Sequence, residues 1–145
     1  FGDLICLKYK KILILRTNFF GRSQTKNKIS FSDHIIKNLE NKKKIKIPSN
    51  IYFNPVSLTY IAKIIDTIIN KKIYGIYNLG TIKSISKLNF AKKIAKRYNY
   101  NFKYIISYKS NSKHLRPLNT FMCVNKIKKK LNLMIPTIDE SINSI

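Results

Sequence analysis

Few side chains in this 145-residue sequence are placed to do chemistry. Arg16, Thr17 and Asn18 follow directly on the apolar run at 12–15, and open α/β sheets bind ligands at the carboxyl ends of such strands. An amide at that place can bond a ligand hydroxyl or phosphate; the plainer use is a turn in which Asn satisfies its own backbone. Arg116 precedes Pro117 in a chain with 25 Lys but only 4 Arg. Its planar guanidinium suits bidentate contact with phosphate oxygens, with a surface ion pair as the plainer alternative. Asn54-Pro55 makes a shaped turn ahead of a helix, a mainly structural device with a ligand contact as its second reading. His34 and His114 have no acidic, Ser or Cys partner at a suggestive spacing, so no catalysis is assigned to them. Six acidic residues make a paired-carboxylate hydrolase a poor fit. Cys6 and Cys123 stand far apart with no CxxC, which argues against zinc.

The elements that must position these groups follow from periodicity. Residues 12–15 and 75–79 are apolar on both faces, as buried parallel strands are. Residues 2–9 read as the end of a helix. A helix over about 32–41 buries Phe31, Ile35, Ile36 and Leu39. Short strands are expected at 44–47 and 51–53. Ser57 caps a helix with Leu58, Ile61, Ile65 and Ile68 on its inner face, and Ser86 caps another running to about Tyr98. A strand over 102–107, a helix over 125–131 and a last helix opened by the capping box Thr137…Glu140 complete the pattern. Two inner strands cannot form a sheet that hides both faces. The sequence therefore predicts that an N-terminal half is missing.

The net charge of +23 first suggests nucleic acid. The 26 Ile, 25 Lys and 16 Asn all have A/T-rich codons, however, and nucleic-acid readers favour Arg. Only 42–44 and 128–130 form lysine clusters. Nucleic-acid binding is expected to be weak and indifferent to sequence. No apolar run approaches the roughly 18 residues that span a membrane. Two isolated cysteines without a signal peptide fit a reducing cytoplasm.

Four segments in order, Arg16-Thr17-Asn18-Phe19-Phe20-Gly21, Tyr52-Phe53-Asn54-Pro55-Val56-Ser57, Gly75-Ile76-Tyr77-Asn78-Leu79-Gly80 and Arg116-Pro117 with the closing helix, carry a resemblance. The chain resembles the C-terminal part of dTDP-4-dehydrorhamnose reductase-like proteins, in the nucleotide-sugar branch of the extended short-chain dehydrogenase/reductases. The resemblance implies an α/β fold: the C-terminal portion of a Rossmann-type parallel sheet plus a smaller α/β substrate-binding lobe. Residues 1–21 and 54–80 would be the remainder of the dinucleotide-binding core, and 22–53 and 81–145 the lobe.

It further implies reduction of a 4-keto sugar nucleotide by NAD(P)H, with an epimerase or dehydratase of the same superfamily as the alternative. A basic nucleic-acid-associated protein is the reading outside that superfamily. Asn18, Arg116 and Asn54 would bind substrate, and Thr17, Phe19 and Phe20 would line the cofactor side. The family's glycine-rich turn and its Tyr-x-x-x-Lys are both absent; the four glycines are at 2, 21, 75 and 80. No catalytic residue is therefore assigned, and this chain alone is expected to be inactive. Its implied partners are the nucleotide sugar and the missing N-terminal half, with a homodimer also admitted.

Overall fold

The computed structural model describes residues 2–6, 8–23, 25, 28–111 and 117–145. In chain order its elements are α1 (Gly2–Cys6), β1 (Leu13–Thr17), β2 (Phe19–Phe20), α2 (Phe31–Glu40), β3 (Ile45–Pro48), β4 (Tyr52–Phe53), β5 (Val56–Ser57), α3 (Leu58–Asn70) and β6 (Gly75–Leu79). After these come β7 (Ile85–Ser86), α4 (Lys87–Arg97), a 3-10 turn (Phe102–Tyr104), β8 (Ile105–Tyr108), α5 (Asn125–Leu131) and α6 (Ile138–Asn143).

The two inner strands pair as the sequence predicts. β1 and β6 run parallel, with Leu13 opposite Gly75 and Thr17 opposite Leu79. β1 has no strand on its other side among the described residues, and its apolar side chains are only half-buried. β2 pairs β5 and β3 pairs β8, both in parallel, whereas β4 and β7 are antiparallel. The result is the mixed α/β architecture expected.

Each longer helix begins where a hydroxyl can satisfy an orphan N–H. Ser30, Ser57 and Ser86 accept from the N3 amides of α2, α3 and α4. Thr137 forms the anticipated capping box with Glu140. Helix exits are less conventional. Lys42, Lys72, Asn99 and Asn132 take left-handed φ values of 55, 51, 57 and 51°. Glycine is the usual residue there, because a Cβ in this conformation costs about 1–2 kcal/mol.

Side chains pack into two groups. Phe20, Ile35, Leu39, Ile47, Phe90 and Ile94 anchor one, between α2, α4 and β3. Val56, Ile64, Ile68, Leu79, Ile127 and Leu131 anchor the other, against β6. Two details differ from the sequence reading. On α3 the buried residues are Ile64 and Ile68, while Leu58 and Ile65 are exposed. α3 carries an apolar arc wider than the stripe it buries, so periodicity could not fix which part of that arc meets the sheet. Val124, Ile127, Leu131 and Ile135 pack with the cluster against β6. The strand expected over 102–107 opens instead as a 3-10 turn, because the Asn101 side chain accepts from Lys103 N at 2.9 Å.

The capping box makes stability depend on pH. Hydrogen bonds from Thr137 N and Oγ1 hold the Glu140 carboxyl below its ordinary 4.5. A depressed folded pKa contributes stability that is present above the unfolded value and lost as pH falls through the folded one. Glu140→Gln is expected to lower the melting temperature at neutral pH, where the carboxylate contributes, and to flatten the profile below pH 4.5, where the wild type loses that contribution. Thermal melts across that range check this.

Candidate functional site

The carboxyl end of β1 opens on a cleft of about 440 Å³, lined by Thr17, Asn18, Phe19, Phe31, Ile51, Phe53, Lys87, Pro117 and Thr120. Five chain segments converge there, joined in part by side-chain amides and backbone bonds. Asn18 donates from Nδ2 to Thr120 O at 2.9 Å, and its own carbonyl accepts from Val56 N at 2.9 Å. Tyr52 exchanges backbone bonds with the same segment, N to Leu118 O and O from Thr120 N. Asn50 ties the far end, bonding Ser110 through both its oxygen and its nitrogen.

Asn54 is fully buried. Its Nδ2 donates to Thr81 O at 3.0 Å and Met122 O at 2.9 Å, and its Oδ1 accepts from Met122 N at 3.1 Å. The structure thus gives Asn54 a joining role behind the cleft. Gly80 lies against it so closely that an added Cβ would stand 2.5 Å from Asn54 O. Phe20 is also internal, edge-on to Phe90 with ring centroids 4.9 Å apart. Phe19, next to it on the other face of β2, is 62% exposed and lines the cleft. Thr17 Oγ1 is buried with no hydrogen-bond partner among the described residues. Such a group is costly unless something completes it. Arg116 and His114 lie outside the described residues; Pro117, beside Arg116 in sequence, lines the cleft.

Phe31, Ile51, Phe53, Lys87 and Thr120 join the site without having been singled out in the sequence. For Lys87 a signal existed. It is the first residue of α4, directly after the cap Ser86, where a cation opposes the helix dipole. Its ammonium sits 5.3 Å from the centroid of the Phe31 ring. No carboxylate is among the residues that line the cleft. Tyr60 and Tyr100, whose pKa values are raised chiefly by burial and then by Glu140 and Glu40 respectively, lie away from it. Among the described residues no group of His, Cys, Asp and Glu could hold a metal, and no helix is long and apolar enough to cross a membrane.

The RmlD substrate binding domain family matches residues 3–145. The fold is similar to that of dTDP-4-dehydrorhamnose reductase from Bacillus anthracis str. Ames in complex with NADP. The TM-score is 0.80 at 20% identity, over 94% of this chain and 48% of that one. The Yersinia enterocolitica dTDP-4-dehydrorhamnose reductase gives 0.75 at 19%, over 98% and 52%. A dTDP-glucose 4,6-dehydratase from Bacillus anthracis str. Ames in complex with NAD gives 0.75 at 18%, over 98% and 48%. The chain therefore spans about half the length of these structures. No curated protein sequence matches it.

Asn54→Ala removes the amide and leaves buried backbone groups at 81 and 122 unpaired, each worth about 1–3 kcal/mol. A loss of about 2–4 kcal/mol in unfolding free energy is expected in denaturant titration. Gly80→Ala is expected to be comparably damaging, whereas Gly2→Ala, which meets nothing within 4 Å, should be silent.

Proposed function

The chain belongs to the RmlD substrate binding domain family, and on that premise we propose that it is the substrate-side half of an NAD(P)-dependent nucleotide-sugar reductase acting on a 4-keto sugar nucleotide. The cleft at the end of β1 carries this reading. It lies where open α/β sheets receive ligands, it holds the orphaned Thr17 hydroxyl and the exposed Phe19 ring, and its described lining has no negative charge to repel a diphosphate. The fold is common to reductases and dehydratases; the family match favours reduction.

A nicotinamide cofactor does not fit this chain's own residues as its principal holder. A dinucleotide pyrophosphate needs a glycine-rich turn at a helix N-terminus, and Gly2, Gly21, Gly75 and Gly80 make none. The cofactor would belong to a preceding dinucleotide-binding half, whose last strand would pair with the open edge of β1. Thr17 and Phe19 would face it from this side.

The contribution of this chain is then binding and orientation. Asn18 fixes the 117–123 segment at the rim, Arg116 grips the diphosphate, and the apolar walls Phe19, Phe31 and Phe53 exclude water. Holding a sugar in line with a reacting partner is a large share of the rate even where no proton is moved. The protein would act in the cytoplasm, where nucleotide sugars are made.

Fusion to the dinucleotide-binding half of a reductase tests this. The chain alone is expected to show no NADPH oxidation with a dTDP-4-keto sugar, and the fusion to show turnover. Arg116→Ala in the fusion should lower kcat/KM by the equivalent of about 1.5–3 kcal/mol, the worth of a hydrogen bond to a charged group. Turnover by the chain alone, or a fusion indifferent to Arg116, contradicts the proposal.

A further inference from the structure

β3 and β8 pair in parallel as far as Pro48 opposite Tyr108. Ser49 N extends the ladder by one bond, to Tyr108 O at 2.8 Å. In an unbroken parallel ladder the Ser110 N–H would then donate to Ser49 O. It donates instead to Oδ1 of Asn50, at 2.8 Å, and Asn50 Nδ2 donates to Ser110 O at 2.9 Å. A side-chain amide, with its donor and acceptor in one plane, carries the pairing in both directions. The backbone beyond it bonds elsewhere. Ile51 O accepts from Lys87 N at 2.9 Å, Tyr52 N donates to Leu118 O at 2.7 Å and Tyr52 O accepts from Thr120 N at 2.9 Å.

A groove of about 580 Å³ lies along this divergence, and its lining includes Pro48, Ile51, Tyr108, Ser110, Asn111 and Leu118. Phe31 and Ile51 also line the cleft at the end of β1, so the two hollows adjoin. We propose that Asn50 is a positioning residue for the nucleotide part of the ligand. By holding Ser110 and Asn111 beside residues 49–51 it fixes the groove in which the nucleoside diphosphate lies, with the sugar at Thr17 and Asn18. The proposal rests on the reading of the cleft given above and adds where the rest of the ligand goes and which side chain shapes that place.

A sugar nucleotide is extended, with a diphosphate between its sugar and its nucleoside, so a sugar seated in one hollow puts the nucleoside in its neighbour. The described lining of the groove holds no carboxylate to repel the diphosphate. Tyr108, Ser110 and Asn111 bring a ring, a hydroxyl and an amide, the groups that stack on a base and bond its edges or the ribose. Their backing is thin. Among the described residues β8 has a strand on one side only, and Ile106, Ser107 and Tyr108 are exposed. Both hydrogen bonds given for Ser110 go to Asn50. Asn50 and Ser110 are half-buried, so groups freed by substitution can turn to water and the fold loses little. A loosened wall must instead be ordered when the ligand binds, and that cost falls on affinity.

Calorimetric and amide-resolved NMR titrations of the full chain with dTDP-glucose test this in the wild type, Asn50→Ala and the control Asn101→Ala. The Asn101 side chain also accepts a backbone bond, from Lys103 N at 2.9 Å, outside both linings. In the wild type the amides of Ser110 and Asn111 and the side-chain amide of Asn50 are expected to shift and to saturate together with Thr17 and Asn18. Asn50→Ala is expected to weaken dTDP-glucose by about fivefold or more, to lose the shifts at Ser110 and Asn111 and to keep those at Thr17 and Asn18 at higher ligand concentration. Asn101→Ala should bind as wild type. Wild-type affinity in Asn50→Ala, or an equal loss in Asn101→Ala, overturns the role of Asn50 and leaves the cleft reading standing. So does a wild-type titration that moves Thr17 and Asn18 but not Ser110 and Asn111, a result that needs no variant to fold. A wild-type chain in which Thr17 and Asn18 do not respond overturns the cleft reading and this inference together.

Discussion

A single buried amide sets the geometry on which the site depends. Asn54 closes the corner between β4 and β5, and its side chain bonds the backbone on two other passes of the chain, at Thr81 and Met122. Thr81 N returns a bond to Asn54 O. Three segments far apart in sequence are thereby locked behind the carboxyl ends of β1 and β6. The arrangement is demanding. It needs a polar side chain with donors and an acceptor in a fixed plane, and it needs glycine at 80, where no Cβ fits. Burial strengthens each bond and raises the cost of losing one, so the corner is well suited to holding a site to a narrow geometry.

From that corner outward, the structure separates joining from exposing. Asn18 and Asn54 spend their amide donors on backbone carbonyls, while Phe19 leaves its ring at the cleft and Thr17 lines it with a buried, unpaired hydroxyl oxygen. Phe20, one residue on, faces the other way and fills the core against Phe90. The alternation is that of a strand, whose successive side chains point to opposite faces. It divides the RTNFFG segment into anchoring and cleft-facing members.

Much of this was legible in the sequence because it is local. The caps Ser57, Ser86 and Thr137 announce helices by residue type, and the paired inner strands announce themselves by being apolar throughout. What was hidden depends on tertiary context. The buried stripe of α3 could not be read from an apolar arc wider than the part that packs. The burial of Asn54 could not be read from an Asn-Pro pair whose partners lie 27 and 68 residues away. The groove along β3 and β8 was invisible because these strands are sixty residues apart in the pairing of Ile45 with Ile105. Composition also blurred the signal. In a chain with 25 lysines no single cation stands out, and helix exits that elsewhere carry glycine here carry Lys42, Lys72, Asn99 and Asn132. That replacement matches the codon bias inferred from the Ile, Lys and Asn excess.

The central claim is that the cleft at the end of β1 receives a nucleotide sugar. An amide-resolved NMR titration of the chain with a dTDP-sugar tests it most directly. The account predicts shifts that saturate together at Thr17, Asn18, Phe31, Ile51 and Thr120, with little change along the groove of Ile82, Lys92 and Asp139 on the separate surface between α4 and α6. Shifts confined to that groove or to the lysine clusters at 42–44 and 128–130, or no shifts at all, would contradict it.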